Sequence, residues 1–365
     1  MRYLVFLSLC AFALYAATAE DIYKIYKTKG INAVEDFLKK EFESKEVKEA
    51  PVKEAKKEKE EIKEPVIKLG QKKLVKPKVP TEKESMSRDY WLKQFKGIDV
   101  SYGYYEDVES LIVCEKDRKR CEVYHNEDDG LKLIRGHDVI MGKSGDKVKR
   151  GDLKTPIGVY EITKRFKPMD QFYGPLAFVL SYPNLFDTLR GRNGDGIWIH
   201  GMPIDGKDRD DRTKGCVAFE NNNLLTLDTE INAESAMIII GENKVPKLTK
   251  EAVASVMSEV YKWQHAWKIN DINAYLNFYS NDFKKSDGSG KVHFSNMKKQ
   301  IFSRKENKTI LFEHIAIAPY PTLDDRKLFK VSFFQTYKSP SFGSKGEKEL
   351  YIELVGDKMQ ILAEK

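Results

Sequence analysis

Hydrophobic and polar positions alternate differently in successive parts of the chain. Between residues 98 and 245 the apolar residues come in short runs separated by turn residues, including SLIVCEK, GVYEITKRF, LAFVLSY, GIWIHG and AMIIIG. Short runs rich in Val, Ile, Phe and Tyr are typical of β-strands. This part of the chain is therefore predicted to be mostly β, with one helix near residues 222–232.

The C-terminal part shows helical spacing first and strand-like alternation afterwards. From residue 249 to residue 283, apolar residues recur at the three- and four-residue spacing of a helix. Longer alternating runs then continue to the C-terminus. Helices followed by an antiparallel sheet predict a second, α+β domain over residues 247–365.

Residues 1–19 have the pattern of a secretory signal peptide. Met1 and Arg2 supply positive charge, residues 3–17 are apolar without interruption, and the small residues 17–19 suit cleavage. The apolar run is short for a membrane span, so we expect the protein to be exported. An uncleaved membrane anchor is the alternative.

Residues 20–86 divide into a helical segment and a linker. Apolar residues at helical spacing in 20–44 predict short amphipathic helices, covered either by a second copy of the chain in a homodimer or by the same chain. Residues 45–86 are mostly Lys, Glu, Pro and Val, which cannot bury enough apolar surface to offset their ordering entropy. We therefore predict a linker, followed by a folded domain over 87–246 that opens with the aromatic helix RDYWLKQF.

Charge and composition narrow the range of partners and cofactors. Of 365 residues, 33% are charged and the net charge is +7, which favours contact with acidic surfaces. No motif that reads RNA or DNA is visible, so no nucleic-acid partner is expected. The aspartates within residues 205–211 lack the spacing of a calcium-binding loop, and no nucleotide, haem or metal motif occurs. No cofactor and no metal is predicted.

The four cysteines have different predicted fates. Cys10 leaves with the signal peptide, whereas Cys114 and Cys121 flank a basic turn between two β-type runs. In an exported protein the two could face each other across a hairpin and form a disulfide. Cys216 is then left over, and an unpaired thiol in a secreted protein needs an explanation.

Cys216 has the surroundings of a nucleophile. Arg212 and Lys214 are cations that favour the reactive thiolate, and Gly215 allows a close approach of the backbone to a substrate. The amides of Gly215 and Cys216 are candidates to hold a developing oxyanion. The alternative is an inert core thiol, because Val217 and its neighbours are apolar.

His200 is the candidate base for this thiol. It ends the β-type run GIWIH, which would aim the imidazole from a rigid strand. The carbonyl of Gly201 could orient the other ring nitrogen, a part that a carboxylate usually plays. From the residues alone, both the catalytic and the structural interpretation of His200 and Cys216 remain open.

The segment resembles the active-site signature of the L,D-transpeptidase (YkuD-type) catalytic domain. That signature is His-Gly, a spacer, and then Ser/Thr-His-Gly-Cys; here HG stands at 200–201 and TKGC at 213–216. The upstream TPIG at 155–158 matches a Thr-Pro-x-Gly expected in the family. The resemblance implies that Cys216, His200 and Gly201 are catalytic.

Two departures from the family pattern bear on the reaction. Lys214 replaces the second histidine of the signature, and Ala218 replaces a polar Asn or Arg two residues after the cysteine. Both positions line the substrate clefts in the family, and the presence of Lys214 favours hydrolysis over cross-linking.

The C-terminal stretch WQHAWKINDINAYLNFYSNDF resembles the opening of an NTF2-like domain. The whole arrangement, a short N-terminal helical segment, a mostly-β YkuD-type catalytic domain and an α+β NTF2-like domain, is similar to the cell-shape-determining L,D-carboxypeptidases of helical and curved bacteria. That resemblance implies a periplasmic, cysteine-dependent hydrolase that trims uncross-linked peptidoglycan tetrapeptide stems to tripeptides.

The same resemblance implies further site residues and partners. Gly215 would supply the oxyanion contact, and the candidate substrate-binding residues are Lys214, Arg212, Thr213, Trp198 and Tyr173. Peptidoglycan stem peptides are the expected partner, and the pocket of the NTF2-like domain would hold a ligand that the sequence does not identify. An L,D-transpeptidase that forms 3–3 cross-links and a non-catalytic wall-binding scaffold are the alternatives.

Overall fold

The computed structural model describes residues 80–205, 210–324 and 326–365. The predicted signal peptide, the N-terminal helical segment with its dimer contact, and residues 45–79 of the predicted linker lie outside the described residues. Within the described part of the chain, no helix is both long enough and apolar enough to cross a membrane.

A short N-terminal segment comes first. It contains α1 (Glu82–Ser85), α2 (Arg88–Gln94) and the two-residue strand β1 (Tyr104–Tyr105). Thr81 caps α1 and Ser87 caps α2, each by accepting a hydrogen bond from a backbone amide of the first turn. Folded structure therefore begins before residue 87, within the stretch whose composition predicts a linker.

Residues 110–241 form a closed β-barrel, which confirms the mostly-β prediction. Its elements are β2 (Ser110–Glu115), β3 (Arg120–Glu127), β4 (Gly130–Ile140), β5 (Gly158–Phe166), β6 (Ala177–Leu180), α3 (Leu185–Leu189), β7 (Trp198–His200), β8 (Val217–Phe219), α4 (Asn221–Glu230) and β9 (Ala236–Gly241). Around the barrel the strands follow the order β2–β3–β4–β8–β7–β6–β5–β9. The β2–β9 and β7–β8 pairs are parallel, and the other pairs are antiparallel.

Strand β2 is buried on both faces. Ile112 and Cys114 face the barrel interior, whereas Leu111 and Val113 belong to a second hydrophobic cluster on the outside. This double burial explains why the run SLIVCE is apolar rather than alternating. Cys114 lies directly opposite Cys121 of β3, and a disulfide joins the two.

The C-terminal domain combines three helices with an open sheet, which confirms the α+β prediction. Its elements are α5 (Lys250–Lys268), α6 (Ile272–Asn277), β10 (Tyr279–Lys285), α7 (Lys291–Phe302), β11 (Thr309–Pro319), β12 (Leu328–Lys338), β13 (Gly343–Val355) and β14 (Lys358–Glu364). With β1 the strands follow the order β1–β11–β12–β13–β14–β10. The helices cover one face of this sheet, and Trp263 of α5 lies at the centre of the aromatic core between them.

The other face of this sheet packs on the outside of the barrel. One hydrophobic cluster contains side chains from both domains, including Leu111, Val113, Val159, Met237 and Ile239 from the barrel and Ala318, Tyr320, Leu328, Tyr351 and Leu362 from the sheet. The buried ammonium of Lys330 in β12 pairs with Glu161 of β5 across the same interface. The two domains therefore share a core.

The N-terminal segment belongs structurally to the C-terminal domain. Trp91 of α2 stacks on Tyr261 of α5, with ring centroids 5.7 Å apart, and β1 extends the sheet by pairing with β11. The sequence pattern predicts that α2 opens the catalytic domain. In the structure the apolar side of α2 packs against α5 instead. Because α5 is distant in sequence, the local pattern does not indicate this contact.

Candidate active site

Cys216 and His200 lie on neighbouring parallel strands of the barrel. His200 ends β7 and is paired in register with Ala218 of β8, while Cys216 directly precedes β8. Ile199 and Val217 point into the barrel core. Because successive side chains of a strand alternate between faces, His200 and Cys216 both point away from that core, on the same side of the two strands.

The ring of His200 is held in one orientation. It is fully buried, it packs edge-on against Tyr173 with centroids 5.1 Å apart, and its Nδ1 lies 2.7 Å from the carbonyl oxygen of Gly201. A carbonyl oxygen only accepts, so Nδ1 carries the proton and the neutral ring presents Nε2 as its basic nitrogen. This is the orienting contact that the sequence analysis expected from Gly201.

Gly201 fits its position only as glycine. A Cβ atom there would come within 2.3 Å of Asn221 Oδ1 and 2.9 Å of Pro175 Cδ. The Gly201 amide donates to the Tyr173 carbonyl at 2.9 Å, and Asn221 Oδ1 accepts from the amide of Met202 at 2.8 Å. Asn221 therefore helps fix the His-Gly pair; the sequence analysis missed it, and only its place directly after the CVAFE strand signals it.

Cys216 is half-buried and is, among the described residues, the cysteine outside the disulfide. As a thiol its Sγ donates to the carbonyl of Gly196 at 3.4 Å. The preceding Gly215 has φ +131°, and a Cβ there would lie 2.9 Å from the carbonyl oxygen of Lys154. The turn that contains Cys216 is thus packed against the segment that contains TPIG.

Thr213, one of the predicted substrate-binding residues, shapes this turn through bonds to its backbone. It is buried, and its hydroxyl donates to the carbonyl of Cys216 at 2.6 Å and accepts from the amide of Gly215 at 3.1 Å. The Gly215 amide, predicted to hold an oxyanion, is therefore engaged inside the turn. The physical reason is that a Thr hydroxyl readily bonds a backbone amide two residues on.

The remaining predicted substrate residues fall into two groups. Trp198 and Tyr173 are half-buried and pack edge-on with ring centroids 5.1 Å apart, so the structure brings them together beside His200. Phe166, which the sequence analysis missed, extends this wall, 5.1 Å from Trp198. Arg212 and Lys214, close to Cys216 in the sequence, are exposed.

An ionised aspartate organises the loop that leads to TPIG. Asp152 accepts from the amides of Val148, Lys149 and Lys154 and from the ammonium of Lys147 at 2.9 Å. Burial raises the pKa of Asp152, but the Lys147 ammonium and the backbone amides outweigh burial and hold that pKa well below its usual range. The loop is thereby fixed beside the turn that contains Cys216.

The TPIG segment is anchored at each end. Thr155 is fully buried and its Oγ1 accepts from the Gly142 amide at 2.8 Å. The Ile157 amide donates to Asp146 Oδ1 at 2.8 Å.

No cluster of His, Cys, Asp and Glu suited to a metal ion occurs in residues 80–205, 210–324 or 326–365.

Comparisons with known proteins agree with this geometry. The family model of the L,D-transpeptidase catalytic domain (YkuD) matches residues 109–239, and that of the Cds6 C-terminal NTF2-like domain matches residues 255–365. No curated protein sequence matches the chain.

Three solved structures resemble most of the chain. Two are crystal structures of the helical cell shape determining protein Pgp2 from Campylobacter jejuni, each 38% identical, with TM-scores of 0.75 and 0.73; they cover 79% and 77% of this chain and 100% of their own. The third, Bd1075 from Bdellovibrio bacteriovorus, is 26% identical with a TM-score of 0.60 and covers 73% of this chain and 97% of its own.

Proposed function

This chain belongs to the family that joins an L,D-transpeptidase (YkuD) catalytic domain to a C-terminal NTF2-like domain, and on that premise we propose that it is a cysteine-dependent L,D-carboxypeptidase of peptidoglycan. Its substrate is the uncross-linked tetrapeptide stem, and its product is the tripeptide. The similarity to a helical cell shape determining protein supports a role in setting cell shape. The observation that carries the proposal is the side-by-side placement of Cys216 and a tautomer-fixed His200.

The reaction proceeds through an acyl-enzyme. Nε2 of His200 first takes the proton of the Cys216 thiol. The thiolate then attacks the carbonyl at the L-centre of meso-diaminopimelate, and a tetrahedral oxyanion forms. Of the two amides considered for the oxyanion, the amide of Cys216 remains, since Gly215 donates within the turn. The C–N bond then breaks, and the protonated Nε2 of His200 gives its proton to the departing amine of D-Ala.

Water completes the cycle. Nε2 of His200 takes a proton from a water molecule, the resulting hydroxide attacks the thioester, and the tripeptide leaves with its new carboxylate while Cys216 is regenerated. Tyr173 and Trp198 form one wall for the stem peptide. Arg212 and Lys214 attract its terminal carboxylate, a role that their charge and exposure support.

The second candidate is transfer of the acyl group to an amine of another stem, which would form a 3–3 cross-link. The family name of the catalytic domain favours it. Both reactions share the acyl-enzyme and differ in the acceptor. Lys214 at the position of the second signature histidine favours water.

The deciding experiment uses purified protein and tetrapeptide muropeptides, with products read by mass spectrometry. We expect tripeptide and free D-Ala in equal amounts, and none with Cys216→Ala of unchanged thermal stability. Linked dimers would support the transferase instead. Unchanged muropeptides with the wild-type protein, together with normal cell shape in a Cys216→Ala strain, would contradict catalysis and favour the scaffold.

We also propose that the protein acts in the periplasm after removal of residues 1–19. The basic start, apolar run and small cleavage residues support this. N-terminal sequencing of protein from a periplasmic fraction is expected to begin at Glu20. A protein that stays with the membrane fraction and keeps Met1 would support the uncleaved anchor.

A further inference from the structure

A buried polar cluster connects the C-terminal domain to the catalytic barrel. The hydroxyl of Tyr320, just after β11, donates to Asp187 of α3 at 3.4 Å and accepts from the side-chain amide of Asn184 at 3.1 Å. Tyr160 of the barrel donates to the other oxygen of Asp187 at 3.0 Å. Asp187 is fully buried, so these donors replace the water that it has lost.

Arg192 links this cluster to the loop before TPIG. Its guanidinium contacts Asp187 at 3.1 Å and also pairs with Asp146. Both carboxylates are almost completely buried, and the side chain of Arg192 is 13% exposed. Charge-assisted hydrogen bonds in such surroundings are strong and directional, and loss of one partner leaves an uncompensated buried charge.

From Asp146 the connection continues through the backbone to the nucleophile. The second oxygen of Asp146 holds the amide of Ile157 at 2.8 Å. Two residues earlier, Thr155 is fixed to Gly142, and the carbonyl of Lys154 lies against Gly215. The 154–157 segment is thus the support on which the Cys216 turn rests.

Tyr320 also touches this segment directly. A Cβ atom at Gly158 would lie 2.7 Å from the hydroxyl of Tyr320 and 2.7 Å from that of Tyr160. The last residue of TPIG is therefore in contact with a side chain of the C-terminal domain.

We propose that Arg192 and Tyr320 are positioning residues, through which the C-terminal domain holds the segment behind Cys216 in the geometry that catalysis needs. They touch neither substrate nor reacting atoms. The inference extends the proposed function by giving the C-terminal domain a direct part in aligning the nucleophile. A test by kcat for tripeptide release rests on the proposed function, whereas a test by the alkylation rate of Cys216 does not.

The test uses the full chain with Arg192→Lys and Tyr320→Phe. Lysine keeps the charge but not the planar set of donors that joins two carboxylates, and Phe keeps the ring packing against Phe186 and Tyr351. For Arg192→Lys we expect kcat for tripeptide release to fall about ten-fold with KM unchanged, because small misplacements of a reacting group are costly. A smaller fall in kcat is expected for Tyr320→Phe.

The chemical readout is the rate at which iodoacetamide alkylates Cys216, followed at the peptide level by mass spectrometry. We expect this rate to fall in both variants, since a displaced turn separates the thiol from His200 and reduces its thiolate fraction. Circular dichroism melting checks that the variants fold. If Arg192→Lys does not fold, Tyr320→Phe alone carries the alkylation test.

Two matched controls separate positioning from general destabilisation. Arg326→Lys makes the same change at an exposed pair with Glu353. Tyr351→Phe removes a neighbouring hydroxyl that has no hydrogen-bond partner within the described residues. Both are expected to leave kcat and the alkylation rate of Cys216 unchanged.

If Cys216 in folded Arg192→Lys and Tyr320→Phe is alkylated at the wild-type rate, the positioning role is wrong, whatever the carboxypeptidase assay shows. If the wild type releases no tripeptide but the alkylation rates fall as expected, the proposed function fails and the positioning role stands.

Discussion

The barrel and the C-terminal domain both bury polar side chains, but they give them different partners. In the barrel, His200, Thr155 and Thr213 bond to backbone groups of nearby loops. At the centre of the C-terminal domain, the buried side chains around Glu364 bond to one another. A bond to the backbone fixes the course of the chain and so the position of neighbouring side chains such as Cys216, whereas a bond between two buried side chains chiefly determines how an interior packs.

The interior of the C-terminal domain shows the second arrangement. Tyr279 donates to Glu364 at 2.7 Å, Lys348 pairs with the same carboxylate, and Trp263 donates to Tyr279 at 3.1 Å. Burial opposes ionisation of Glu364, but Lys348 and Lys298 outweigh it and lower the pKa of Glu364. The comparison predicts that backbone-anchored residues near Cys216 affect activity, whereas the side-chain cluster around Glu364 affects stability.

The largest effect is expected from Gly215→Ala. The added Cβ would meet the Lys154 carbonyl at 2.9 Å in a backbone with φ +131°, so the turn must move. A displaced nucleophile typically costs about 100-fold, so we expect kcat to fall by about that factor. Gly356→Ala is the control, because it has positive φ with no atom near its Cβ; equal losses in both variants would refute the steric argument.

Next in size is Tyr279→Phe, which tests the other side of the comparison. It removes the donor to Glu364 and the acceptor for Trp263 while it keeps the ring. Leaving buried polar groups unsatisfied costs about 1–3 kcal/mol, so the free energy of unfolding in urea should fall by about 2 kcal/mol. Tripeptide release should be unchanged; a ten-fold fall in kcat would break the distinction between the domains.

Asn221→Ala should reduce activity about ten-fold, since its Oδ1 fixes the Met202 amide next to the His-Gly pair and misplacement of His200 slows proton transfer. Asn223→Ala, on the same helix, provides the comparison. The measurement is kcat for tripeptide release, which should fall only for Asn221→Ala. Equal kcat values for the two variants would remove Asn221 from the site.

The smallest effect concerns Lys298, whose ammonium lies 4.7 Å from the centre of the Trp267 ring. Burial lowers the pKa of Lys298 to about 8, although Glu364 opposes the shift. Because the folded pKa lies below the unfolded one, this group adds stability as pH rises from about 8 towards 10 and loses it as pH falls through 8. Relative to Lys298→Met, the wild type should gain about 1 kcal/mol between pH 8 and 9.5 in urea unfolding; parallel curves would contradict a lowered pKa.

The sequence was informative where chemistry and structure are local. The spacing of HG and TKGC located His200 and Cys216, and periodicity separated a β-rich domain from an α+β domain. Thr213 shows what a sequence motif does not reveal. The motif locates Thr213 three residues before Cys216, but it does not indicate that the hydroxyl bonds to the backbone of the same turn.

Long-range partners were not predictable. Asp187, Arg192 and Tyr320 meet only after the two domains fold together, and each looks like an ordinary surface or strand residue in the sequence. Glu364 has a more specific cause: the pairing of β13 with β14 shifts register between Tyr351 and Ile352. This irregularity reverses the alternation and turns Glu364 to the interior, where strict alternation from Ile361 would place it on the opposite face.

The shared core has a practical consequence for dissecting this protein genetically. A fragment that ends after β9 would leave the outer faces of β2, β5 and β9 in water and would also lose the support for Gly158. Such a truncation reports on the solubility of an exposed apolar sheet rather than on the enzyme without its accessory domain. The contributions of the two halves are separable by single substitutions at their boundary, and not by cutting the gene.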